Sequence, residues 1–372
     1  MGGGGGLVLW LTISPAFLFL VVVATLTLPA LVESACGSNA VVFNFGDSNS
    51  DTGGLMAGLG YQIFPPEGRL FFHRSTGRLC DGRLILDFLC ESLHMSYLSP
   101  YLESVGSDFR NGANFAIAGS TALPPDIPFS LHIQVNQFLR FKARSLELIA
   151  QGSKGLINEE GFHKALYAID IGQNDLSAAF GANLPYDQVI ERIPSVISEI
   201  KTAVKTLYSS GGKSFWIHNT GPLGCLPQKL SLPRKDSSSL DRYGCLVPFN
   251  NAAKEFNAQL NILCDELRSE LNDATIVYTD IFTIKYDIIA NHATYGFENP
   301  LMACCGYGGP PYNFNQNITC GNAACPVCPE GSKYVNWDGV HYAEAANAIV
   351  ASKILTTEYS KPKVKFGFFC TA

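Results

Sequence analysis

Charge is what this chain of 372 residues has little of: 16 % of its side chains are Asp, Glu, Lys or Arg, and none precedes Glu33. With 26 basic against 32 acidic residues the formal charge is −6, and no run of Lys and Arg is present. Nothing in such a sequence can follow a phosphate backbone, which argues against nucleic acid as a partner. Familiar reaction motifs are missing as well. There is no G-x-S-x-G elbow and no H-E-x-x-H zinc helix. Gly212-Lys213-Ser214 resembles the end of a phosphate loop, but Leu207 stands where that loop needs its first Gly. Disorder is excluded by what is plentiful, since 47 % of the residues are hydrophobic.

The uncharged start is itself informative. Residues 7–32 are almost wholly apolar, with Pro15, Pro29 and several Thr and Ser among them. Such a segment is a secretory signal or a membrane anchor. The interruptions favour a signal peptide over residues 1–34, with Val32 and Ser34 at the −3 and −1 positions and a mature chain from Ala35. An uncleaved anchor in a Golgi membrane is the alternative. With cleavage the protein is secreted to the extracellular space or cell wall and keeps no stable membrane association.

All 12 cysteines follow that leader, and Asn317-Ile318-Thr319 is an N-glycosylation sequon, so disulfides in an oxidising compartment are the first expectation. Cys304, Cys305, Cys320, Cys325 and Cys328 are crowded enough to raise a zinc site, but their spacing is irregular and the expected compartment favours cystines. No metal is assigned. Cys225 and Cys245 flank a polar loop and form one plausible bridge. The remaining pairings do not follow from spacing.

Short apolar runs predict strands at Val41–Phe45, Leu166–Gly172, Ser214–Asn219 and Thr275–Thr279, with a weaker candidate at Asn114–Ala118. Between them, i+3 and i+4 spacing marks core-facing helices, one from Asp187 to about Leu207 and one from Phe249 to Leu271. Alternating strands and helices predict a single α/β domain over 35–372, three layers deep, with helices on both faces of a mainly parallel sheet. Residues 299–333 are rich in Gly, Pro, Cys and Asn and read as an ordered, disulfide-pinned loop beside a functional site.

Ser48 follows the first strand run in VVFNFGDSNSDTGG, where ligands of a parallel sheet bind. Alone, Gly-Asp-Ser-Asn is ordinary turn chemistry. Asp338 and His341 stand three apart at the start of an Ala-rich helix. An Asp-x-x-His turn can set a carboxylate on Nδ1 and turn Nε2 outward as a base, although a helix cap would read the same way. Gly119 in GANFAIAGSTA and Asn174 in IDIGQNDL offer a backbone N–H and a side-chain amide as hydrogen-bond donors, each weak in isolation.

In order, FNFGDSNSDTGG, FFHRSTGRLCDGRLILDFL, GANFAIAGS, AIDIGQNDL, NTGPLGCLP and WDGVHYAEAA resemble the sequence blocks of the GDSL esterases and lipases, the SGNH hydrolases, and most closely their plant secreted branch. The resemblance spans nearly the whole mature chain. It implies a flavodoxin-like fold and a serine esterase without a cofactor. It further implies Ser48 as nucleophile with Asp338 and His341, and an oxyanion hole of Ser48, Gly119 and Asn174. Asn49 departs from the Leu of the family name, a position with no chemical role. The implied partner is an ester substrate, best read as an acetylated wall glycan such as xylan. Lipid or specialised-metabolite esters, acyl transfer, and a non-catalytic glycan-binding protein remain as alternatives. Phe71, Phe72, Tyr307, Tyr312 and Trp337 are candidates to stack on sugar rings or to pack the loops.

Overall fold

The computed structural model describes residues 1–3, 40–124, 128–234 and 237–371. Apart from Met1–Gly3 the expected leader, with its cleavage point, lies outside the described residues.

In chain order the elements are β1 (Val42–Gly46), α1 (Gly54–Leu59), α2 (Ile85–Ser92), β2 (Gly112–Asn114), α3 (Leu131–Ala150), α4 (Glu159–Lys164), β3 (Leu166–Asp170), α5 (Gln173–Gly181), α6 (Tyr186–Ser209), β4 (Ser214–His218), α7 (Pro227–Leu230), α8 (Val247–Glu270), β5 (Thr275–Thr279), α9 (Ile281–Ala290), β6 (Asn299–Ala303), β7 (Tyr334–Asn336), α10 (Glu344–Leu355) and β8 (Ser360–Lys361). The expected strands are present with one exception, Thr275–Thr279 at its expected bounds and the others trimmed or shifted by one or two residues. The weak candidate Asn114–Ala118 is replaced by Gly112–Asn114, which lies against the free edge of β1. Phe115 and Ile117 continue past the strand's end, their N–H groups donating to Asn44 O and Gly46 O at 2.8 and 3.2 Å.

Strands of the main sheet follow the order β2-β1-β3-β4-β5-β8, parallel throughout except for the antiparallel edge strand β8. Every residue of β1 and β4 is buried, so neither face of the sheet meets water. Two groups of helices provide the cover, α3, α5, α6 and α8 packing among themselves and α2, α9 and α10 likewise. Phe43, Phe138, Phe162 and Tyr167 interlock on one side of β1, with Phe43 stacked on Phe162 at 5.4 Å between ring centres. Each such ring removed from water stabilises the fold by roughly 1.5–3 kcal/mol.

The chain winds outward from β1 in both directions. β2 lies on one side and β3 on the other, so a crevice opens at the carboxyl ends of β1 and β3, the point where ligands bind in doubly wound sheets.

The segment 299–333 is more ordered than a loop. Its first residues form β6, which pairs in parallel with β7, and Cys304–Cys328 and Cys305–Cys320 are disulfides. Cys325 is a thiol, so the C-x-x-C of Cys325 and Cys328 is not a bridge. Cys225–Cys245 forms as expected. Cys80, Cys90 and Cys264 are buried thiols, contrary to the expectation of cystines for them. Among the described residues no helix is long and apolar enough to cross a membrane.

Candidate active site

Ser48 lies two residues beyond the end of β1, and its surroundings hold the turn in place. Gln134 on α3, fully buried, clamps Gly46 by both amide atoms: its Oε1 accepts the Gly46 N–H at 2.9 Å and its Nε2 donates to Gly46 O at 2.8 Å. Past the serine, Asp51 accepts the N–H groups of Gly53, Gly54 and Leu55, and also that of Ala118 at 2.7 Å. One carboxylate thus ties the Ser48 turn to the segment that carries Gly119. Gly119 itself has φ +83, a left-handed conformation that costs a Cβ-bearing residue energy.

Asn174 opens α5 in the connection after β3. Its Nδ2 donates to Ser120 O at 2.9 Å and reaches Asp47 Oδ2 at 3.4 Å. The amide is therefore drawn towards both the Ser48 turn and the Gly119 turn.

The Asp338–His341 turn is built for close contact. Asp338 accepts the N–H groups of Val340 and His341 through Oδ1, while Oδ2 lies 2.6 Å from His341 Nδ1. Between them Gly339, at φ +103, sits under the Phe314 ring, where a Cβ would come within 2.1 Å of the ring. Only glycine fits. Nε2 of His341 is buried and accepts or donates no hydrogen bond among the described residues.

Electrostatics couple these turns. Burial alone would lower the His341 pKa, but the Asp338 carboxylate and its hydrogen bond, with Asp47 behind them, raise it above 6.5, Lys285 opposing. Burial pulls Asp338 upward, yet His341 and the two backbone N–H groups leave it below the usual carboxylate range. Asp47 is pushed up to about 7 by burial and by the Asp170 charge, against the hydrogen bonds from Asn49 and the His341 charge. Glu67 is likewise pushed up to about 7, chiefly by burial, and feels both Asp338 and His341. Ser48 thus lies next to Asp47, which acts on His341 and approaches Asn174, and next to Asn49, whose Nδ2 lies 3.5 Å from Oε1 of Gln173, the residue before Asn174.

Several positions were not visible in the sequence as part of this site. Asn49, assigned no chemical role, donates its backbone N–H and Nδ2 to Asp47 Oδ1, both at 2.9 Å, and so holds a buried acid beside Ser48. Gln134, Glu67 and Lys285 come from segments with no motif to mark them. Of the two alternatives left open for the aromatics, Trp337 takes packing: it is fully buried with the Arg69 guanidinium 5.0 Å from its ring centre, so no sugar can stack on it. Phe71 and Tyr307 are exposed, at 43 % and 39 %. Arg83 lies over the Phe71 ring at 4.1 Å and Arg78 over Phe72 at 4.6 Å, while Tyr312 OH accepts from Arg234 at 2.7 Å.

Residues 42–354 match the family model of the GDSL-like lipase/acylhydrolases. The chain is 59 % identical over 364 residues to an Arabidopsis thaliana protein named GDSL esterase/lipase LIP-4, covering 96 % of this chain and 97 % of that one. It is 45 % identical over 333 residues to alpha-L-fucosidase 3 of the same plant, covering 84 % and 89 %. A Hevea brasiliensis protein named esterase is 44 % identical over 367 residues, covering 92 % and 91 %. A mainly parallel sheet of flavodoxin-like order, a serine beyond its first strand and a family match over most of the chain lead to one conclusion: the chain belongs to the GDSL-like lipase/acylhydrolase family and is a carboxylic ester hydrolase.

Proposed function

We propose that Ser48 is the nucleophile of a two-step acyl transfer, with His341 as its base and Asp338 as the group that orients the imidazole. The observation that carries this reading is the asymmetry of His341: Nδ1 is held by Asp338 at 2.6 Å, while the buried Nε2 has no partner among the described residues. With the Nδ1 proton pointed at a carboxylate, the lone pair is on Nε2, where a serine proton can be taken. Ser48 Oγ then attacks the ester carbonyl. The oxyanion is received by the backbone N–H groups of Ser48 and Gly119 and by Asn174 Nδ2, the alcohol leaves with the proton from His341, and water releases the acid by the same route.

The substrate reading is an acetyl ester on a wall polysaccharide such as xylan or a related acetylated carbohydrate. An exposed Asn317 sequon and the disulfides among the described residues are in keeping with a secreted glycoprotein whose leader 1–34 has been removed. The test is acetate release from acetylated xylan, compared with turnover of short- and long-chain 4-nitrophenyl esters, by wild type and Ser48→Ala. A 4-nitrophenyl fucoside belongs in the same assay because of the fucosidase named among the relatives. Xylan deacetylation abolished by Ser48→Ala supports the reading. Preference for long acyl chains replaces the glycan with a lipid, and activity retained by Ser48→Ala removes the nucleophile. Intact mass of the secreted protein checks cleavage after Ser34 and glycosylation at Asn317.

A further inference from the structure

Lys229, on the one-turn helix α7, is a buried lysine with no carboxylate to hold it among the described residues. It is 8 % exposed, forms no ion pair among the described residues, and hydrogen-bonds through Nζ to Ser177 Oγ at 2.5 Å. Ionised lysines are almost never buried this deeply without an acid to pair with. Burial is also the whole cause of its lowered pKa, about 8, which still leaves the amine mostly protonated at pH 7.

Its place in the fold gives that cation a use. Ser177 stands three residues after Asn174 on α5, and residues at that spacing share a helix face about 5–6 Å apart. Both are half-buried, while Gln173, Leu176 and Ala179 on the same helix point into the core. On its other side α7 is bonded to the histidine turn, the Gln228 N–H donating to Gly339 O at 2.9 Å. The helix that carries Lys229 therefore joins the helix of the amide donor Asn174 to the turn that carries Asp338 and His341.

We propose that the Lys229–Ser177 pair is a recognition site for a carboxylate on the ester substrate, one helical turn beyond the reacting carbonyl. This rests on the reading above that Asn174 faces that carbonyl. Nζ carries three donors and spends one on Ser177. A carboxylate within reach accepts a hydrogen bond from the Nζ cation and another from the Ser177 hydroxyl, both charge-assisted because the acceptor is ionised. Because the site lies off the scissile bond, the carboxylate can belong to the acyl half or to the alcohol half of the ester.

Three probes separate these cases at pH 7: neutral 4-nitrophenyl acetate, 4-nitrophenyl hemisuccinate with its charge on the acyl half, and 4-acetoxybenzoate with its charge on the alcohol half. The readout is the ratio of kcat/KM for each anionic ester to that for the neutral one. Lys229→Met is expected to lower at least one ratio tenfold or more, and Lys229→Arg to stay within about threefold of wild type. A lysine that only packs the site would lower all three rates together and leave the ratios unmoved. Lys229→Gln serves as a second neutral variant should the methionine form fold poorly. Both ratios unchanged in the neutral variants, with Ser48→Ala inactive, overturn this inference alone. Turnover by Ser48→Ala overturns the reading of the site and this inference with it.

Discussion

Asp51 Oδ2 accepts the backbone N–H of Ala118 at 2.7 Å, across 67 residues of chain, while the same carboxylate receives the N–H groups of Gly53, Gly54 and Leu55. One side chain therefore fixes the distance between the Ser48 turn and the Gly119 turn. Burial raises the Asp51 pKa and the four N–H groups lower it, the net being upward. Asp51→Ala leaves those donors without an acceptor in a site closed to water. It is expected to lower the free energy of unfolding by at least about 2 kcal/mol, read from urea denaturation. Activity should fall by more than the folded fraction does.

The pH dependence of kcat/KM follows from His341. Asp338, Asp47 and Glu67 face it with negative or titrating carboxyl groups and Lys285 with a positive one, and the net effect raises its pKa above 6.5. Only the neutral imidazole takes a proton, so the rate is full above that pKa and falls as pH drops through it. The midpoint is expected above pH 6.5, measured with a neutral ester between pH 5 and 9. A midpoint below 6.5, or a flat profile, removes His341 as the base.

Asp338→Asn keeps the shape of the turn but replaces the acceptor on Nδ1. Loss of the correct tautomer is expected to lower kcat by about 10³–10⁴-fold. Near-ultraviolet circular dichroism should stay close to that of wild type, separating this effect from unfolding.

Asn174→Ala removes one donor to the developing oxyanion and the bond to Ser120 O at 2.9 Å. A loss of about 10²–10³ in kcat is expected. KM for a short 4-nitrophenyl ester should change little, because the donor acts most strongly once charge is on the oxygen. An equal rise in KM would mean that Asn174 binds the ground state instead.

Some of this protein is legible along the chain because the interaction is local. Asp338 and His341 share one turn, so their spacing already allowed the contact found at 2.6 Å, beside the helix-cap alternative. The runs at β1, β3, β4 and β5 are apolar on both faces because helices cover both sides, and that pattern survives in any context. β2 was misplaced because Phe115–Ala118 is more strand-like by composition than Gly112–Asn114, whereas pairing is set by where β1 has a free edge. For Trp337 the sequence left stacking on sugar and packing of the loops both open, since nothing near it in the chain shows the arginine above its ring.

The amino-acid sequence by itself determined the alternation of strands and helices, the family, and the Asp-x-x-His turn, all of which depend on residues near one another or on the order of blocks. Tertiary structure alone decided that Cys304 pairs with Cys328 and Cys305 with Cys320, that Asn49 and Gln134 hold the Ser48 turn, and that Lys229 meets Ser177 across 52 residues. The physical reason is that hydrophobic periodicity is written in neighbours, whereas a buried polar group takes whichever partner the closed fold brings within hydrogen-bond distance.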